Sequence, residues 1–196
     1  LPIGAIKPAA WLRHMLELEK DGMIGRLKEI SPWVDFEKSS WTDKEGPGKF
    51  GWEEMPYWLK GYGDLGYVLR DEAIIAEARR WIQAAMASQR EDGWFGPREL
   101  LTSLKGKADL WPPMVMLNIL QSYHEFTGDA QALDVITRYL KWENQLPASA
   151  FGEGYWPKIR AGDNIETAHW LYNRTGERWL LDLAAKIHQG MARWDE

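Results

Sequence analysis

The stretch YHEFTGDAQALDVITRYLKWENQ, Tyr123 to Gln145, decides the fold. It ends one helix, turns through Thr127-Gly128-Asp129 and begins another. Glycine just past a helix end takes the left-handed cap conformation without a Cβ penalty. The acid after it favours the N-terminus of the helix that follows. Leu133, Ile136 and Leu140 then fall at three- and four-residue steps, the spacing of one helical face. The same layout stands upstream in GYVLRDEAIIAEARRWIQAAMASQ (Gly66–Gln89) and downstream in LYNRTGERWLLDLAAKIHQGMARW (Leu171–Trp194). The chain is therefore an internal repeat of helical hairpins.

The second helix of each pair is amphipathic, as Ile74, Ala78, Trp81, Ile82 and Ala85 show for the first. The first helices are expected at Met55–Leu69, Pro112–Phe126 and Asn164–Asn173. They are apolar on more sides, so they are the inner ones. Pro56 and Pro112 fall in first turns, where proline is tolerated. A further amphipathic helix is expected from about Pro8 to Ile30, through Trp11, Met15 and Leu18. Strand signals are nearly absent.

Inner helices alternate with outer ones in an all-α toroid of helical hairpins, of which about half is expected over residues 1–196, as one domain or part of one. The short turns gather at one end. The long loops, Ser31–Glu54, Glu91–Trp111 and Leu146–Asp163, gather at the other, and they are rich in Trp, Gly and carboxylates. In GYGDLG (Gly61–Gly66) the glycines fit close helix–helix approach better than a phosphate loop, because no strand precedes them.

Composition sets the classes. Hydrophobic residues make up 45% of 196, enough for a core. The net charge of −5 argues against a nucleic-acid partner, which needs a basic face. No run of about 18 apolar residues could span a membrane as a helix. There is no cysteine, hence no disulfide and no thiolate ligand. The first residues, LPIGAIKPAAW, lack a signal-peptide layout, and the compartment stays open. The 13 Trp exceed what helix packing asks for, and the flat indole face suits stacking on sugar rings.

Four blocks in order, GWEEMPYWLKGYGDLGYVL, ASQREDGWFGP, DLWPPMVMLNILQSYHEFTGD and AGDNIETAHWLYNRTGERWLLDLAAKIH, resemble the N-terminal half of the catalytic domain of glycoside hydrolase family 127, the β-L-arabinofuranosidase group. The resemblance implies an (α/α)6 barrel that cleaves glycosidic bonds of plant or microbial glycans, with β-L-arabinofuranosides among the substrates. It also implies a zinc-bound cysteine nucleophile beyond the region matched. No cofactor is expected within this chain, and no metal ligands. The expected partners are carbohydrate and the remaining half of the toroid or another chain.

The candidate catalytic residues are Glu53 and Asp163, each at the expected start of an inner helix. Each has a competing role as a first-turn or capping acid. The positive helix ends are expected to hold Glu53, Asp109 and Asp163 ionised unless burial opposes it, which makes Glu53, among aromatic rings, the candidate acid and Asp163 the candidate base or sugar-hydroxyl ligand. Candidate substrate-binding residues are Trp52, Trp58, Trp94, Trp111 and Trp156 for stacking, with Asp109, Asn164 and His169 as polar ligands. For the loop tryptophans the competing role is to plug the space between hairpins. Two other readings stand beside the glycosidase. One is an unsaturated uronyl hydrolase or polysaccharide lyase, which would use Lys105, Lys107, Lys158 and Arg160 at the mouth. The other is a non-catalytic carbohydrate-binding or interaction module.

Overall fold

The structure, a computed structural model, describes residues 1–43, 48 and 51–194. Part of the Ser31–Glu54 loop thus lies outside the described residues. Among those described there are eight α-helices and no strand. They are α1 Ala10–Asp21, α2 Met23–Ile30, α3 Glu54–Leu69, α4 Glu72–Ala87, α5 Trp111–Thr127, α6 Ala130–Glu143, α7 Tyr155–Thr175 and α8 Trp179–Gly190.

The hairpins are α3–α4, α5–α6 and α7–α8. α5 packs between α3 and α7, so these three form an inner layer. Each of α4, α6 and α8 packs on its own inner partner, and α1 and α2 flank α3. α5 shows why it is inner: Met114, Met116, Leu117, Ile119, Leu120 and Tyr123 are all buried, on more than one face. Truncating such a core Leu to Ala costs about 2–5 kcal/mol. The core is continuous across the hairpins, from Leu59 through Leu117 to Leu171 and Leu183.

All three turns form where the repeat puts them, with different chemistry. Gly128 and Gly176 end α5 and α7 in the left-handed conformation, at φ 74° and 73°. Arg70 ends α3 in the same conformation at φ 56°, against the steric preference of a residue with a Cβ. Its guanidinium donates to the Gly4 carbonyl at 3.2 Å, which helps to hold it there. Asp71 caps α4 by accepting from the Ala73 and Ile74 amides, both at 3.1 Å. Asp129 caps α6 through the Gln131 amide at 2.8 Å. Glu177 does not cap α8, whose N-cap is Arg178. Its carboxylate instead accepts from the Trp179 indole.

Two expected boundaries are corrected. The Pro8–Ile30 helix is two helices broken at Gly22, where a Cβ would lie 2.7 Å from the Leu18 carbonyl. α7 begins at Tyr155, not Asn164. Pro157 lies in its first turn, where its missing N–H costs nothing. Ala161 and Asn164 are buried, so packing overrides the turn character of Gly162-Asp163-Asn164.

The glycines of α3 differ. A Cβ at Gly66 would come within 2.6 Å of Ile74 Cγ2, so this one lets α3 and α4 close up. A Cβ at Gly61 would meet nothing within 4 Å. Glycine in a helix interior costs about 1 kcal/mol against alanine, and no packing contact at Gly61 repays it.

The turns give a first prediction. Asp71→Ala and Asp129→Ala should each destabilise the fold by about 1 kcal/mol, the usual worth of an N-cap. Glu177→Ala should change it by less than about 0.5 kcal/mol. Backbone amides and Lys20 hold the Asp71 carboxylate below its usual range, so its contribution is present at neutral pH and is lost on acidification. Urea melts at pH 7 and pH 3 check both points. Equal losses for Asp71→Ala and Glu177→Ala at pH 7 would refute the assignment of caps.

Candidate active site

The N-terminal ends of the inner helices meet through aromatic side chains. The Trp111 indole, first residue of α5, donates to the Tyr57 hydroxyl of α3 at 3.0 Å. Trp156, second residue of α7, stacks on Trp111 with ring centres 5.3 Å apart. Tyr155 stands edge-on to Trp156 at 5.0 Å. This row crosses all three inner helices. Much of it is open to solvent: Tyr57 is 41% exposed, Trp156 50% and Tyr155 69%.

Two carboxylates stand beside the row. Glu53 immediately precedes α3 and its side chain caps nothing, so the capping role does not account for it. Its carboxyl is pushed above the usual range, first by partial burial and then by the negative charges of Glu54 and Asp109. Asp109 precedes α5 and is buried, with Oδ1 accepting from the Trp111 amide at 3.0 Å. Burial raises its carboxyl too, against that hydrogen bond. Burial thus opposes the helix ends at both acids, the condition under which Glu53 is read as a general acid. A helix end is worth about 0.3–1 kcal/mol to a charge, and desolvation outweighs it here.

The remaining candidates are dispersed. Asp163 lies mid-α7, eight residues and about 12 Å of helix beyond Tyr155, paired with Arg160 at 3.5 Å. It is not brought to Glu53. Trp52 is 39% exposed near Glu53, and its carbonyl accepts from the Trp41 indole at 2.9 Å. His169 is exposed on α7, well away from the mouth. Three stacking or polar assignments are corrected by burial. Trp94 has no exposed surface and packs on Trp142 at 4.9 Å, so it plugs the space between hairpins. Trp58 is buried, stacked on Tyr62 at 4.6 Å, with its indole donating to the Ile24 carbonyl. Asn164 is wholly buried and donates to Glu143 Oε2 at 2.7 Å. Of the basic residues at this end, Lys107 pairs with Glu153 and Arg160 with Asp163.

Sequence reasoning missed Tyr57, Tyr155 and Glu143. The first two sit in MPYW and GYW, each next to a tryptophan with the larger stacking face. Glu143 carried a signal: it continues the apolar stripe Ile136-Tyr139-Leu140 by one helical step. It is fully buried, and burial pushes its carboxyl up to about 7, opposed by the Asn164 amide and the Tyr139 hydroxyl.

The zinc-bound thiolate that the resemblance implies has no donors here. The chain has no cysteine, and among the described residues no group of three or more His, Cys, Asp or Glu could hold a metal ion.

The family model of the beta-L-arabinofuranosidase GH127 catalytic domain matches residues 6–193. The chain belongs to this family. Among solved structures it is similar to Ara127N-Se, a GH127 beta-L-arabinofuranosidase from Geobacillus stearothermophilus T6. Identity is 18% and the TM-score 0.51, over 92% of this chain and 27% of that one. The chain thus spans about a quarter of that relative's length, and the likeness carries the fold. Comparison with curated proteins finds no match.

Glu143 gives a second prediction. Its folded pKa of about 7 lies above the unfolded value of 4.5. Its protonated form therefore favours the fold below about pH 4.5, and that contribution is lost as pH rises through 7. Glu143→Gln keeps an acceptor for Asn164 and removes the titration. Relative to the parent, it should gain about 1–3 kcal/mol in urea melts at pH 8 and little at pH 5. A gain that does not change with pH would rule this out.

Proposed function

We propose that this chain forms part of the catalytic site of a glycosidase acting on β-L-arabinofuranosides, with Glu53 as general acid and Asp109 as its carboxylate partner. The observation that supports this best is the pair of raised carboxyls beside an exposed aromatic row. Paired carboxylates flanking the scissile bond are the usual apparatus of glycoside hydrolysis. The negative charge of Asp109 helps Glu53 keep its proton. Glu53 then donates that proton to the glycosidic oxygen as the bond to the anomeric carbon breaks. Asp109 either takes a proton from the attacking water or attacks the anomeric carbon itself. Trp111 and Trp156 offer ring faces to the sugar.

A third prediction tests these roles. Asp109→Asn should lower kcat by about 10²–10⁴-fold on any substrate. Glu53→Gln should do the same on alkyl β-L-arabinofuranosides, yet cost far less on the 4-nitrophenyl glycoside, whose leaving group needs no acid. The alkaline limb of kcat/KM should lie above the ordinary carboxylate range and vanish in Glu53→Gln. Near-parental turnover in both variants would refute the assignment.

A further inference from the structure

Glu143, the last residue of α6, is fully buried and plays no part at the mouth. Its position disfavours a charge twice over. Water is excluded, and the free carbonyls of a helix end repel an anion. Its Oε2 accepts from Nδ2 of Asn164 on α7 at 2.7 Å, a side-chain hydrogen bond between the two helices. Oε1 of Glu143 and Oδ1 of Asn164 are also buried, and neither has a donor. In an ionised carboxylate both are acceptors, so the charged form leaves two buried oxygens unmet. One proton satisfies both. Placed on Oε1, it makes Glu143 a donor to Oδ1. The planar acid and the planar amide then close a ring of two hydrogen bonds, each group giving one and taking one.

The surroundings supply no cation in place of that proton. Tyr139, one turn back on α6, lies near the carboxyl with its hydroxyl outside hydrogen-bond geometry. Burial and the charges of Glu143 and Asp109 keep that hydroxyl protonated. The start of α5, Trp111 to Leu117, has no titratable side chain. On α7, Arg160 and Asp163 pair with each other at 3.5 Å, and Glu166 accepts from Gln121 of α5 at 3.2 Å. α8 brings Lys186 and His188. The Lys186 ammonium donates to the Asn144 carbonyl at 2.6 Å and to Asn144 Oδ1 at 3.2 Å. Burial pushes the Glu143 carboxyl up, and no positive charge opposes it.

The pair sits where α7 needs support. Gly162, Asp163 and Asn164 are poor helix formers in the middle of a 21-residue helix. Close packing does not account for Gly162, whose Cβ would meet only Met191 Cε, at 4.0 Å. α7 is nonetheless continuous across all three. The residues before them carry Tyr155 and Trp156 at the mouth.

We propose that Glu143 and Asn164 close this acid–amide ring in the folded chain, and that the ring is a pH-sensitive latch that keeps α7 helical through Gly162-Asp163-Asn164. In the closed latch the proton sits on Oε1. As pH rises through about 7 that proton leaves to water, and Oε1 and Oδ1 face each other as acceptors. An opened carboxyl returns toward its ordinary value of 4.5, so the latch is closed on the acid side and lost on the alkaline side. This stretch of α7 then opens locally more often. The latch needs no ligand and is independent of the sugar reading.

The test is NMR on the whole chain, with carbon-13 at the glutamate carboxyls and with amide hydrogen exchange read as protection factors. At pH 6 the Glu143 carboxyl should be a protonated acid. Protection of the Asn164 to Ala168 amides should fall at least tenfold from pH 5 to pH 8, while that of Tyr62 to Tyr67 in α3 stays level. Glu143→Gln should stay protected at both pH values, because its Nε2 donates to Oδ1 and its Oε1 accepts from Nδ2. Glu143→Met, of similar length but with nothing to give or take, should be poorly protected at both. An ionised Glu143 at pH 6, or equal protection of the parent at pH 5 and pH 8, would overturn the latch. Equal, high protection in Glu143→Met and Glu143→Gln would overturn the ring, since loss of the charge alone would then suffice. Should Glu143→Met not fold, Glu143→Gln decides: low protection at pH 8 would overturn the ring as well.

Discussion

The side-by-side packing of α3, α5 and α7, with their N-terminal ends together, is the constraint on which the rest depends. It follows from alternating connections. A two- or three-residue turn returns each outer helix along its inner partner, and a long loop carries the chain back to start the next inner helix. The inner helices therefore run the same way, and whatever precedes or opens them is delivered to one end. Glu53 and Asp109 lie far apart in sequence, and each lies just before an inner helix. The contact from Trp111 to Tyr57 and the stack of Trp111 on Trp156 join all three ends directly.

At that end two electrostatic effects oppose each other. Three helix N-termini offer partial positive charge, which favours carboxylates. Aromatic rings and loops remove water, which disfavours them. The raised carboxyls of Glu53 and Asp109 show that the second effect wins. The Asp71 and Asp129 caps stand at the other end of the layer, at exposed turns. There the backbone amides of one helix start, together with Lys20, lower the Asp71 carboxyl below its usual range. One residue class at one kind of helix position thus serves stability at one end and is open to chemistry at the other. Burial is what separates the two.

The sequence made the repeat, the turns and the inner–outer alternation legible because these rest on local rules: glycine or acid at a helix end, and apolar residues at helical steps. It made Trp111 and Trp156 legible as mouth residues for the same reason. It misplaced Asp163 because Gly162-Asp163-Asn164 reads locally as a helix start. What overrides that reading is not local: Asn164 reaches Glu143, twenty-one residues earlier, inside the core. Trp94 fails in a similar way. Its loop composition matches that of the exposed tryptophans, and only the placement of α6 decides that Tyr139 and Trp142 cover it.

Position relative to the helix start accounts for the difference among the tryptophans. The Cα–Cβ bond of a helical residue tilts toward the N-terminus, so a side chain covers the turn before its own. In the first turn there is no preceding turn, and the ring leans out beyond the helix end. Trp111 and Trp156 are first and second residues of their helices, and Tyr57 is fourth in α3. All three therefore project over the mouth. Trp81, ten residues into α4, leans back onto its own helix, where its indole meets Glu77 at 3.2 Å and its ring meets Phe36 and Trp58. Trp94 precedes no α-helix closely, so nothing directs it outward, and it folds into the gap between hairpins. Register at the inner-helix starts thus brings Trp111 and Trp156 to the mouth, and the aromatic row follows from where each inner helix begins.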